Sequence, residues 1–235
     1  MVSHLHKCIF VHIPKAAGTS IEQAFMEKLN MDMDNRHALL LGKSTNKNVG
    51  PRRVSHLTAS EYVNLHFVSQ EIFDAYFKFA IVRNPIDRLY STYKYRRYVD
   101  YLSFDDYIKL KLEDYINSKT EGYFYVSQYN YLYNGDKLLV DFVGKLETLE
   151  RDFIAIQNKL NLNLQLKHSN KSNEVQGILG KVKVYGKLLK DSQAWGRLSK
   201  KEHNKDLSLQ AIEIIKKYYE KDFETFNYLM PNPKL

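Results

Sequence analysis

Two apolar runs constrain most strongly what this chain can fold into. They are Cys8-Ile-Phe-Val-His-Ile13 and Phe77-Lys-Phe-Ala-Ile-Val82, each followed by a proline-containing turn and then by helical periodicity. Runs of β-branched and aromatic residues that lack polar alternation read as strands buried on both faces. After the first run, Ser20–Leu29 sets Ile21, Ala24, Phe25 and Leu29 along one helical face. After the second, Asn84-Pro85 supplies an N-cap and a proline at the first helical position, for a helix from Ile86 to about Tyr98. Strands that alternate with helices pair in parallel through right-handed crossovers, so the pattern predicts a three-layer α/β/α domain with a central parallel sheet. Such sheets bind ligands beyond the carboxyl ends of their strands, where both turns lie.

Further along, Phe104–Ile116 reads as a helix, Leu138–Val143 as a third strand ended by Gly144, and Leu149–Leu160 as a helix with Phe153, Ile156 and Leu160 inward. Ser199-Lys-Lys-Glu202 has capping-box spacing, and Ile212, Ile215, Tyr219, Phe223 and Phe226 continue one helical face to the C-terminus. Residues 30–53 and 167–197 show no usable period and are expected to be loops or insertions in a single domain spanning 1–235.

Composition narrows the partners. Hydrophobic residues at 44% exclude a disordered chain, and a net charge of +8 suits an anionic partner such as nucleotide, nucleic acid or acidic glycan. The single cysteine, Cys8, excludes an internal disulfide and fits a reducing, cytoplasmic setting, while Cys8–Ile13 is far too short for a membrane span. His4-x-His6 lacks further ligands at fixed spacing, so no metal is expected.

In His12-Ile-Pro-Lys-Ala-Ala-Gly-Thr-Ser20, small residues let backbone N–H groups approach an anion at the start of a helix. Lys15 adds a mobile positive charge, and Thr19 and Ser20 add hydroxyls. Lysine precedes glycine here, which is not the Walker A order, so a generic nucleotide triphosphatase is disfavoured. At the end of the second strand Arg83, with Ser91 further along the helix, suits a phosphate monoester, whereas Arg88 suits a carboxylate partner that holds the helix.

These two motifs, in this order and each after a strand, resemble the carbohydrate-type sulfotransferase superfamily (sulfotransferase family 2-like), including its soluble bacterial members. His-Ile-Pro-Lys-Ala-Ala-Gly-Thr-Ser is similar to that family's 5′-phosphosulfate loop, and Val-Arg-Asn-Pro-Ile-Asp-Arg-Leu-Tyr-Ser to its 3′-phosphate motif. Weaker echoes lie at Ser55–Thr58, Phe142–Phe153, His168–Ser172 and Tyr218–Phe223.

The resemblance implies a P-loop-like sulfotransferase fold. It also implies a sulfuryl donor, 3′-phosphoadenosine 5′-phosphosulfate (PAPS), released as adenosine 3′,5′-bisphosphate (PAP), and a hydroxyl acceptor on a carbohydrate or glycoconjugate. Pro14, Lys15, Ala16, Ala17, Gly18, Thr19 and Ser20 would then hold the 5′-phosphosulfate, Arg83 and Ser91 the 3′-phosphate, and Lys171 and Ser172 would cover the nucleotide. His56, in a setting similar to the segment that carries the catalytic histidine of heparan-type relatives, is the expected base, with Lys15 neutralising the leaving phosphate.

His12 reads as a structural histidine at a strand end, His66 as a third candidate base, and Glu22 as a helix-capping carboxylate. Tyr93, Tyr95, Arg96, Arg97 and Tyr98 are candidates either to face the acceptor or to form the outer face of a helix, and the family resemblance alone adds Gln128 as facing the acceptor. Two rivals stay open: a nucleotide-dependent small-molecule or sugar kinase, since an α/β phosphate loop serves both chemistries, and a basic nucleic-acid-binding module. The sequence carries no signal for oligomeric state.

Overall fold

The computed structural model describes residues 1–44, 50–167 and 204–234, which fall into two compact units. One contains Met1–Arg83 and the stretch that begins at Val126; the other contains Asn84–Tyr125 and the C-terminal residues.

The first unit holds the central, mostly parallel sheet. Its strands are β1 (Val2–Ser3), β2 (Cys8–Val11), β3 (Phe77–Val82) and β6 (Phe142–Lys145), in the order β1-β2-β3-β6; β4 (Tyr133–Asn134) and β5 (Lys137–Leu138) form a separate hairpin. Only β1 runs antiparallel to its neighbour in the main sheet, and the β2–β3 pair is in register from Cys8↔Phe77 to Val11↔Ala80. On one face Phe10, Phe79 and Ile81 share an apolar cluster with Ile21, Ala24 and Phe25 of α1 (Gly18–Lys28) and with Phe153 and Ile156 of a later helix, Leu149–Leu160. On the other face Ile9, Val11, Ala80 and Val82 are equally inaccessible to solvent. Burial on both faces is why these strands read as continuous apolar runs.

The third strand corrects the sequence reading. It begins at Phe142 rather than Leu138, because Leu138 pairs across the hairpin with Tyr133, and the carboxylate of Asp141 accepts the main-chain N–H of Lys78 at 2.7 Å. It then runs through Gly144 rather than ending before it. In the stretch 30–53, Asn35–Leu39 forms a turn of 3₁₀ helix and Lys43 bridges Arg53. Short helices α2 (Glu61–Asn64) and α3 (Gln70–Ala75) precede β3.

The second unit is helical. Its elements are α4 (Pro85–Tyr95), α5 (Phe104–Ile116) and, after α6 (Gln128–Leu132) and α7 (Leu149–Leu160) of the first unit, α8 (Leu209–Thr225). Asn84 caps α4 as expected, accepting from the N–H groups of Ile86 and Asp87, while Ser103 and Ser208 cap α5 and α8. The capping box expected at Ser199–Glu202 lies outside the described residues.

Tyrosines build much of this unit's core. Tyr93 donates its phenol to the Leu102 carbonyl at 2.6 Å, Tyr219 donates to that of Tyr125 at 2.6 Å, and the Tyr107 and Tyr125 phenols meet at 2.6 Å. Tyr93 and Tyr98 are therefore interior. The Arg96 guanidinium stacks on Tyr115 and pairs with Glu121, and Arg97 pairs with Asp100 at 2.8 Å. Of the residues expected to face an acceptor on this segment, only Tyr95 is strongly exposed, and it stacks on Phe124.

A Cβ on Gly144 would meet Ile81 Cδ1 at 2.8 Å and Asp152 Cβ at 3.0 Å. Gly144→Ala is therefore expected to overpack the β3–β6–α7 contact and cost about 1–3 kcal/mol of stability, read from the denaturant midpoint.

Candidate active site at the ends of two parallel strands

The two strand-end turns and the residues that bond to them lie in the first unit. Past β2 the chain runs through His12 and Ile13, both buried, and turns; the Ala16 N–H donates to the Ile13 carbonyl at 3.3 Å. Lys15 and Ala17 adopt left-handed backbone conformations, with φ of 69° and 61°. For non-glycine residues this conformation costs roughly 1–3 kcal/mol each and persists only where the surroundings enforce it. Left-handed residues in a turn are also how successive N–H groups come to line an anion-binding concavity. Ala17 gives α1 no side-chain cap, in contrast to α4, α5 and α8. No side chain therefore meets the positive end of α1, although the Ser20 N–H donates to the Ala17 carbonyl at 3.0 Å.

The ring of His12 packs directly against Gly18. A Cβ on Gly18 would lie 1.9 Å from both Cδ2 and Nε2 of that ring, so only glycine fits. His12 Nδ1 donates to Glu22 Oε1 at 2.5 Å, and the ring stacks on Phe10. His56, on a 3₁₀ turn (Val54–His56), sets its ring at 72° to that of His12, with centroids 4.6 Å apart. His56 Nδ1 lies 3.4 Å from the His12 carbonyl, which can only accept, so the proton sits on Nδ1 and the lone pair on Nε2.

Burial holds the pKa of His56 well below the usual histidine value, and the charges of His12, Arg53 and the terminal amine reinforce this; the bond to the His12 carbonyl opposes it. Burial pushes Glu22 the other way, but its charge and hydrogen-bond interactions with His12, aided by the terminal amine and Arg53, outweigh this and leave it lowered and ionised.

The end of β3 is fixed by Gln128, a fully buried residue of α6. Its Oε1 accepts from the Arg83 N–H at 2.8 Å and its Nε2 donates to the Arg83 carbonyl at 2.7 Å. With its main chain clamped, Arg83 reaches across and donates from Nη1 to the Lys15 carbonyl at 3.2 Å. The two strand-end turns thus meet through Arg83 and Lys15. Gln128, expected to face an acceptor, is instead a main-chain clamp.

Among the other expected site residues, Pro14, Ala16, Ala17, Gly18 and Ser20 are buried, Lys15 and Arg83 half-buried, and Thr19 exposed. Ser91 is half-buried on α4 of the second unit, and Lys171 and Ser172 lie outside the described residues. Arg88 is buried and donates to the Phe124 carbonyl at 3.0 Å, a role that holds structure. His66 is exposed just past the end of α2 with φ of 59°, whereas His12 and His56 are buried. His4 bonds Tyr76 and His6 bonds Ser3. Among the described residues no group of three or more His, Cys, Asp or Glu could hold a metal, and no helix is long and apolar enough to cross a membrane.

The model of a sulfotransferase family matches residues 1–229. The chain belongs to this sulfotransferase family. Like the rest of the family, it is a transferase. It is also similar to an uncharacterized protein of Archaeoglobus fulgidus, 30% identical over 98 residues that cover 40% of this chain and 76% of that one. No solved structure matches.

The Glu22–His12 pair and the Gln128 clamp escape a reading of the sequence. One signal for the pair is present: Glu22 stands one helical turn beyond Gly18, on the face that looks back at the strand end.

Because His56 is neutral and buried, the stability it contributes is full above about pH 6.5, where the unfolded histidine is also neutral, and is lost as pH falls toward the lower folded value. Chemical denaturation from pH 7.5 to 5 should show a shallower acid decline in His56→Gln than in the wild type.

Proposed function

We propose that this sulfotransferase moves a sulfuryl group from PAPS to a hydroxyl of a carbohydrate or glycoconjugate. The observation that supports this reading most is the Arg83 Nη1 to Lys15 carbonyl bond, which joins the arginine of one family motif to the loop of the other. The residues fit a bisphosphorylated nucleotide: an uncapped helix start, left-handed turn residues, a half-buried lysine and a clamped arginine within one unit.

In this reading the turn Pro14–Ser20 holds the 5′-phosphosulfate through backbone N–H groups and the Thr19 and Ser20 hydroxyls. Arg83 holds the 3′-phosphate. His56 Nε2 takes the proton of the acceptor hydroxyl as its oxygen attacks sulfur. The bond from sulfur to the phosphate oxygen breaks, and Lys15 neutralises the negative charge left on PAP. The low pKa of His56 suits this role, since a histidine already protonated at neutral pH cannot accept the proton. The acceptor in this proposal is a sugar hydroxyl, and the setting is cytoplasmic.

Titration calorimetry with PAP, followed by transfer of labelled sulfuryl or γ-phosphoryl groups to a panel of sugars, tests the donor. Sulfuryl transfer alone supports the proposal; γ-phosphoryl transfer, or salt-dependent binding of random oligonucleotides without affinity for PAP, overturns it. Arg83→Ala should weaken PAP binding by about 2–4 kcal/mol. His56→Ala should lower turnover by about 10²–10⁴-fold while PAP still binds; turnover at the wild-type rate would remove His56 from the reaction.

A further inference from the structure

Glu22 is out of place for a helix-surface carboxylate. It is the fifth residue of α1, beyond the first turn, where it caps nothing, and its side chain is only 15% exposed. A carboxylate is costly to bury unless it is paired, and its partner here is the His12 ring. That bond fixes the orientation of the His12 ring, with Nδ1–H toward Glu22 and the Nε2 edge over Gly18. Glu22, Phe10 and Gly18 thus hold the ring from three sides. The ring edge and the carbonyl of His12 are in turn two contacts that His56 makes.

We propose that Glu22 and His12 are a positioning pair for His56: the carboxylate anchors the His12 ring, and His12 holds His56 as its Nδ1–H tautomer with Nε2 directed to the reacting hydroxyl. The proposal rests on the reading of His56 as the base, and neither Glu22 nor His12 touches the substrates in it. Its logic is that of a buried carboxylate orienting an imidazole, extended by one residue.

The charged groups around His56 give the pair a measurable signature. They are His12 from the end of β2, Arg53 from its own segment, the amino group of Met1, and Glu22 one ring away on α1. The charge that the His12 ring carries in its pair with Glu22 repels a proton on His56. Removing the carboxylate removes that repulsion, so His56 should protonate at higher pH.

Long-range ¹H–¹⁵N spectra of the imidazoles, followed through a pH titration, test the pair without an acceptor. In the wild type the His56 proton should sit on Nδ1, and the ring should protonate well below pH 6.5. In Glu22→Gln, which keeps shape and loses charge, the His56 titration should move up by about half a unit or more, and Glu22→Asp should restore part of the shift. An unchanged His56 titration in Glu22→Gln overturns the proposal, and so does an Nε2–H tautomer in the wild type, a measurement that needs no variant to fold.

With an acceptor in hand, Glu22→Gln should lower kcat about 10–100-fold and displace the acid limb of its pH profile upward, with the Kd for PAP within about twofold. A fall in kcat without that displacement would mean a merely structural carboxylate and would also overturn the proposal. Failure of the wild type to bind PAP would sink the donor reading instead, and the imidazole spectra would still judge the pair.

Discussion

The ring of His12 lies so close to Gly18 that no side chain fits between them, and the arrangement at the end of β2 is built around that contact. It brings the start of α1 down onto the end of β2. It also accounts for Glu22: once an imidazole is sealed between a strand end and a helix, its Nδ1–H needs a buried acceptor, and a carboxylate one turn along the helix supplies it. His56 then packs against the far edge of the same ring. The glycine that looks as though it serves the approach of an anion is required first by a histidine.

A second constraint acts from β3. Strand ends leave main-chain groups without partners, and here one amide side chain meets both the N–H and the C=O of Arg83. The guanidinium is thereby launched from a fixed backbone toward Lys15. In the second unit the phenols do comparable work: Tyr93 and Tyr219 each end on a carbonyl, so the packing there is directional as well as apolar.

Local periodicity made much of this legible. β3, α5 and α7 follow their apolar patterns residue for residue, and the Asn84-Pro85 signal marks the start of α4. What the sequence hid depends on partners distant in the chain. Leu138 belongs to a hairpin because Tyr133 is within reach, a choice no single-strand pattern reveals. Glu22 reads as a cap only while α1 is taken to begin at Ser20; with the helix starting at Gly18, it moves out of the first turn and into the interior. Tyr93 and Tyr98 look alike on paper whether their phenols meet a sugar or the core. The turn Pro14–Ser20 could be recognised because its pattern is contiguous, whereas Gln128 could not, since its role is defined by Arg83.

The clamp on Arg83 also bears on the order in which the molecule comes together. The bonds that define the end of β3 span 45 residues to Gln128 and 68 residues to Lys15. Closing such loops costs chain entropy before any contact repays it, so these bonds are expected to form after the local helices and the β-hairpin. A chain with its secondary structure in place but α6 undocked would have the turn after β2 and lack the fixed guanidinium beside it. The meeting of Arg83 with Lys15 is therefore a property of the completed first unit, and its formation during refolding would mark the end of that process rather than its beginning.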